Sequence, residues 1–142
     1  MIIRPAERRD IARIAALAGE LGYPSTADEM ARRLAALGWR DAVLVADDDG
    51  GACVAWIHVG IIDSLESDRF AEIRGLVVAE ANRGAGIGAA LVRAAEEWAR
   101  VRGCPRVRVR SNVLRERTHR FYERLGYRVG KSQKVFDKSI LA

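Results

Sequence analysis

The stretch Asn82-Arg83-Gly84-Ala85-Gly86-Ile87-Gly88-Ala89-Ala90-Leu91 places three alternate glycines between an apolar run ending Leu76-Val77-Val78 and a segment of helical periodicity. Glycine inside a helix is about 1 kcal/mol worse than alanine, so stability does not explain the crowding. Either the backbone turns there in a way only glycine allows, or something lies against bare backbone. A helix amino terminus presents unpaired N–H groups and roughly half a positive charge, and a phosphate settles there when no side chain holds it away. Two familiar phosphate loops do not fit. A P-loop ends in Gly-Lys-Ser/Thr, which this chain lacks. The dinucleotide fingerprint needs GxGxxG in a βαβ unit with an acidic residue about 20 positions on. Here the pattern is GxGxG at residues 84–88, and the strand that follows ends at Arg110.

The surrounding periodicities predict one α/β domain over residues 1–142, in the order β-α-α-β-β-β-α-β-α-β-β, with a mixed sheet. "IIRPA" reads as a strand ended by Pro5. Asp10 or a neighbour caps a helix carrying Ile11, Ile14, Leu17, Ala18 and Leu21, and Gly22 and Pro24 break it. Ser25 or Thr26 caps a second helix with Met30, Leu34 and Leu37 on one face. Residues 41–62 read as two strands joined by an Asp/Gly turn at 47–51. A polar loop at 63–69 precedes the strand "FAEIRGLVVAE". After the glycines, Ile87, Leu91, Ala94, Trp98 and Val101 mark a helix. "RVRVRS" alternates, which turns Val107 and Val109 to a core and Arg106, Arg108 and Arg110 to the other side. Phe121, Tyr122 and Leu125 lie on a last helix, on which Phe121 and Leu125 share a face. "YRVGKSQKVFDKSIL" suggests a closing hairpin. Trp39, Trp56 and Trp98 read as packing residues.

Composition narrows the class. With 142 residues, 49% hydrophobic and 30% charged, the chain has the make-up of a soluble globular domain with one core. No apolar run approaches the roughly 18 residues of a membrane span, and no signal-peptide region precedes Arg4. Cys53 and Cys104 match no metal spacing, so no metal is expected, and a reduced cytoplasmic location is the simplest reading. The net charge of +5 is unevenly spread: residues 101–142 hold 12 Lys+Arg against 3 Asp+Glu, a balance of +9. Such a surface suits an anionic partner, either nucleic acid or a polyphosphate cofactor, or serves solubility alone. Nucleic-acid binding calls for aromatics interleaved with the basic residues, and "RVRVRS" offers valines instead, so no nucleic-acid partner is expected.

"RGAGIG" at residues 83–88 resembles the Arg/Gln-x-x-Gly-x-Gly/Ala signature of the GNAT N-acetyltransferase superfamily. "THRFYERLGY" at 118–127 resembles the family's downstream segment, and "IRPA" with the helix begun near Asp10 looks like its first strand and helix. "LGYPS" followed by "MARRLAAL" is similar to the second-helix region of many bacterial members. The resemblance covers essentially the whole chain. It implies the GNAT fold, a mixed, mostly antiparallel central sheet flanked by helices, with strands 70–78 and 106–110 splayed at the cofactor site.

The resemblance also implies the chemistry: transfer of an acetyl group from acetyl-CoA to a primary amine by direct attack in a ternary complex. The alternative is a catalytically silent acyl-CoA-binding sensor. Arg83, Gly84, Ala85, Gly86, Ile87 and Gly88 would hold the pyrophosphate, and Leu76, Val77 and Val78 would pair with the pantetheine arm. An N–H near Val77 or Val78 would stabilise the oxyanion. Tyr122 matches the tyrosine that donates a proton to the leaving sulfur, with core packing as its other reading. Glu72 stands where many members keep a carboxylate base; it is alternatively a solvated glutamate or a partner for Arg74. His58, in an apolar strand, and His119 are the chain's two histidines, read first as packing and helix-contact residues. Asn112 lies near the family's cofactor contacts, while Arg115 stands where many members have an asparagine. Tyr23 is expected to line the acceptor pocket, and the acidic loop 63–68 would suit a cationic acceptor. No membrane partner is expected; a homodimer is an option by family analogy.

Overall fold

Among the described residues, five of the seven expected strands and all four expected helices form. The computed structural model describes residues 1–111 and 116–141. They fall in two compact units, Met1–Arg110 and Ser111–Ala142. The first unit contains β1 (Ile2–Pro5), α1 (Ile11–Glu20), α2 (Ala27–Ala35), β2 (Asp41–Asp47), β3 (Cys53–Ile62), β4 (Phe70–Val78), α3 (Ile87–Val101) and β5 (Val107–Val109). The sheet runs β1-β2-β3-β4-β5, antiparallel except for the parallel β4–β5 pair. Among the described residues, no helix is long and apolar enough to cross a membrane.

Strand alternation sorts the sheet into two faces. On one, Val45 and Val77 pack with Ile14 and Leu17 of α1, with Met30 and Leu34 of α2 and Trp56 at the margin. On the other, Ala46, Ala55, Ile57, Val59, Ala71 and Ile73 are buried. There α3, through Ile87, Leu91, Val92, Ala95 and Ala99, covers β2, β3 and β4.

Local chemistry sets the helix ends. Thr26 caps α2 with a reciprocal pair: its Oγ1 accepts from Glu29 N at 3.0 Å, and its own N–H donates to Glu29 Oε1 at 2.9 Å. Asp10 stands at the N-cap of α1 without a side-chain cap bond. Its carboxylate instead accepts from Glu7 N and from Arg4, whose Nη1 and Nη2 lie 2.7 and 3.0 Å away, while Arg4 Nε donates to Asp47 at 2.9 Å. This buried cluster ties β1, β2 and the start of α1 together. The Arg4 guanidinium holds the Asp10 carboxyl below the usual carboxylate range.

The second unit contains α4 (Glu116–Arg124). Gly126, at φ +93°, lets the N–H of Tyr127 return to the carbonyl of Tyr122 at 3.0 Å and ends the helix. The expected closing hairpin does not form: residues 127–141 contain no strand, and Val129, Val135, Phe136, Ile140 and Leu141 are exposed. Val135 and Phe136 are adjacent, which breaks the alternation a half-buried strand needs, and a lone hairpin is marginal in water. Of the apolar residues that mark α4 in the sequence, Tyr122 is its buried residue.

Candidate active site

Beyond β4, a turn of 3₁₀ helix over Glu80–Asn82 leads into the glycine loop. Gly84 and Gly86 take φ of +85° and +80°, and Gly86 is the N-cap of α3. A Cβ at either would meet nothing within 4 Å, so the backbone conformation demands glycine and the space beside it is open. The turn reading of the glycines therefore holds, and the backbone there lies bare. The N–H groups of residues 84–89 find no acceptor among the described residues, the first intrahelical bond being Ala90 N to Gly86 O. Arg83 Nε donates to the carbonyl of Val78 at 3.2 Å and pins the loop to the end of β4. The result is an arc of free donors at a helix amino terminus, which fits a polyphosphate.

β4 offers a second open surface. β5 pairs with it at Ala71, Glu72 and Ile73, so among the described residues no strand pairs with the edge from Arg74 to Val78 on that side. Toward β3 the pairing shifts at one point: His58 faces Gly75 and Val59 faces Ile73, which leaves Arg74 as the extra residue of a bulge. The bulge reverses the parity of β4. Glu72 shares a face with Gly75 and Val77, whereas strict alternation would have given it Arg74, Leu76 and Val78.

On that face a polar chain crosses the sheet. Buried Glu72 presents Oε1 to Arg108 Nε and Nη2 at 3.1 and 3.0 Å and to Arg110 Nε at 3.0 Å, and Arg74 Nη1 lies 3.9 Å from its Oε2. Arg106 and Arg108 also lie over the Phe70 ring, 4.1 and 4.5 Å from its centroid. Arg74 Nε is 3.8 Å from Asp41 Oδ1, which in turn takes His58 Nε2 at 2.8 Å. Gly60 makes the room: a Cβ there would stand 2.7 Å from Asp41 Oδ1 and 2.8 Å from Arg74 Nε. Beside His58 lies a cavity of about 180 Å³, lined by Ile14, Met30, Leu34, Leu37, Val43 and Trp56, with Arg33 and His58 completing the wall.

Of the residues singled out from sequence, Leu76–Val78 and Arg83–Gly88 come together along β4 and the loop that follows it, and Glu72 lies on the same strand. Tyr122 is in the second unit, packed edge to face with Phe121 and Tyr127, and burial pushes its phenol up to about 12. Asn112 and Arg115 lie outside the described residues. Tyr23 is 64% exposed and is not part of the cavity wall. Trp39, expected to pack, is 65% exposed under the Arg40 guanidinium. Asp63 of the acidic loop is engaged by Arg40 and Arg69, whose hydrogen bonds draw its carboxyl down to about 2. Sequence reading missed the Asp41–His58 pair and the convergence of Arg108 and Arg110 on Glu72. The alternation of "RVRVRS" placed the arginines on one face but named no partner. Among the described residues no cluster of His, Cys, Asp and Glu could hold a metal ion.

Comparisons with known proteins bear on this arrangement. No curated protein sequence matches the chain. A solved structure described as a transcriptional regulator from Bacillus halodurans C-125 superposes with a TM-score of 0.86 at 26% identity, covering 96% of this chain and 99% of that one. An acetyltransferase from Trypanosoma brucei gives 0.78 at 28% identity over 96% and 99%. An aminoglycoside N-acetyltransferase solved in complex with CoA gives 0.80 at 17% identity over 97% and 99%, a likeness of fold alone. The sequence model of the acetyltransferase (GNAT) family matches residues 10–127, from the start of α1 through the glycine loop to the end of α4. A mixed sheet opening beside a helix-capping glycine loop is thus this chain's version of a shared architecture, and the protein belongs to the GNAT acetyltransferase family.

Proposed function

We infer that the protein transfers an acetyl group from acetyl-CoA to a primary amine by direct attack in a ternary complex. The observation that carries this reading is the run of unpaired N–H groups at residues 84–89, set at the end of a strand whose edge from Arg74 to Val78 is open. The donors suit a pyrophosphate, and the strand edge suits the amide-bearing arm that follows it in CoA. In this reading Arg83–Gly88 hold the phosphates, and Leu76, Val77 and Val78 offer backbone groups to the pantetheine. An N–H at Val77 or Val78 steadies the oxyanion as the thioester carbonyl is attacked.

Tyr122 takes the role of hydrogen-bond and proton donor to the departing sulfur. Its raised pKa supports the first half of that role, since the hydroxyl stays protonated throughout the physiological range. A CoA thiolate is a fair leaving group, so the donor assists rather than controls the reaction. Glu72 enters as the anchor of Arg108 and Arg110: Oε1 already accepts three N–H contacts from their guanidinium groups, which leaves it poorly disposed to take a proton from substrate.

The test is calorimetric titration with acetyl-CoA of the wild type and of Gly86→Glu. That substitution puts a β-carbon on a left-handed backbone and a negative charge among the free donors. Saturable binding by the wild type and a loss of at least a hundredfold in the variant are expected. A folded wild type that does not bind acetyl-CoA would overturn the reading.

A further inference from the structure

Resting on the acetyltransferase reading, we propose that the cavity beside His58 is the acceptor site, that it takes a compact apolar amine, and that His58 oriented by Asp41 receives the amine proton. The cavity belongs to the first unit and lies on the same sheet face as Glu72, Gly75 and Val77. Its wall is mostly aliphatic and aromatic, through Ile14, Met30, Leu34, Leu37, Val43 and Trp56, and Arg33 and His58 are its polar members. Its 180 Å³ is close to the roughly 150 Å³ that accommodates a benzene ring in an apolar cavity. An amino sugar would leave most of its hydroxyls without partners against such a wall. The substrate class is therefore an arylalkyl or branched alkyl amine.

His58 supplies the polar end of this wall. Asp41 is a carboxylate and can only accept, so in the neutral imidazole the hydrogen bond at 2.8 Å places the proton on Nε2. Nδ1 then carries the lone pair, and it has no hydrogen-bond partner among the described residues. Arg74, on the far side of Asp41, holds the carboxylate from behind. In the sheet His58 stands opposite Gly75, the first residue after the bulge, so a single strand spacing of about 4.8 Å separates its backbone from the open edge. With its apolar part in the cavity and its nitrogen beside His58, the amine stands one strand away from β4, the strand that would carry the thioester. As the amine nitrogen bonds to the thioester carbonyl carbon, its proton passes to His58 Nδ1. The carbon–sulfur bond breaks, and the CoA sulfur leaves as thiolate and takes a proton from solvent. Amide and thiol are the products, and His58 returns its proton to water.

The experiment uses the full chain. Acetyl-CoA binding is measured first by calorimetry, and release of CoA thiol is then followed with 2-phenylethylamine, glucosamine and kanamycin as acceptors. The expected kcat/KM for 2-phenylethylamine exceeds that for either sugar at least tenfold. Leu34→Lys, which places a charge in the cavity wall, raises KM for 2-phenylethylamine with little change in kcat. His58→Ala and His58→Gln lower kcat about a hundredfold or more while acetyl-CoA affinity stays unchanged, and added imidazole restores part of the activity of the alanine variant. Asp41→Asn lowers kcat without raising KM. Failure of the wild type to bind acetyl-CoA would bring down the donor reading itself. Binding without transfer to 2-phenylethylamine, or preference for a sugar, would overturn the acceptor class alone. Histidine variants within a few-fold of wild-type kcat would overturn the proton role.

Discussion

Two arginine–carboxylate clusters sit on the same sheet with opposite stoichiometry. At the β1–β2 end, one arginine, Arg4, serves two buried carboxylates, Asp10 and Asp47. At the β4–β5 end, one buried carboxylate, Glu72, gathers Arg108 and Arg110, with Arg74 close by. The first cluster is closed: Arg4 and both carboxylates have side-chain exposures of 14% or less. The second is open, since the Arg108 and Arg110 side chains are 28% and 58% exposed. A cluster with surplus carboxylate inside the protein binds the fold together. One with surplus guanidinium at a strand opening has charge left over for something else. Position and ratio, rather than residue type, separate the two networks.

The sharpest way to break this comparison is to remove the central cation of the closed cluster. Arg4→Met strands two buried carboxylates that cannot reach water, and a loss of about 3–5 kcal/mol is expected in urea unfolding at neutral pH. The pH dependence supplies a second reading of the same variant. Because the folded Asp10 pKa lies below its unfolded value, its contribution is present above about pH 4 and is lost as pH falls through the folded value. The acid limb of the wild type below pH 4 should therefore flatten in Arg4→Met.

The buried phenol of the second unit gives a separate test in alkali. The Tyr122 pKa is raised from 10.0 to about 12, so the stability tied to its neutral form is complete below pH 10 and is lost as pH rises toward 12. That difference amounts to about 2–3 kcal/mol. Unfolding measured from pH 9 to 12 should show this limb in the wild type and lose it in Tyr122→Phe. The smallest effect is expected at the open cluster. Glu72→Gln frees arginines that can turn to solvent, so stability should fall by no more than about 1–2 kcal/mol. Acetyl-CoA affinity by calorimetry should hold or rise, because the variant leaves the edge more cationic. A loss of 3 kcal/mol or more would erase the distinction between the two clusters.

Much of this was legible in the chain itself, and what was not has a physical pattern. The glycine loop, the capping box at Thr26 and the β2–β3 hairpin are encoded within a few residues, where turn chemistry and capping act. The cavity wall was half legible: Met30, Leu34 and Leu37 read as one helix face, but its opposite wall at Val43, Trp56 and His58 depends on register. Register also hides the Asp41–His58 and Glu72–Arg108 pairs, which are 17 and 36 residues apart. The bulge at Arg74 is the most opaque feature. The sequence "FAEIRGLVV" alternates well enough through Arg74 that nothing announces the change of parity, yet it is the change of parity that brings Glu72, Gly75 and Val77 onto one face. The closing hairpin shows the converse, where residues with strand propensity found no partner strand.

Gly60 gives the last of these observations a practical side. Its missing side chain is the gap through which Asp41 and Arg74 meet, and the atoms a methyl group would strike are the ends of flexible side chains rather than backbone. An alanine allele here would act as a wedge in a hinge: the sheet would absorb it, the carboxylate would swing, and the imidazole behind it would lose its bearing. On the role proposed for His58, such a change leaves the fold intact and shows itself in kcat. For this protein, an empty position carries information that no side chain on the page carries.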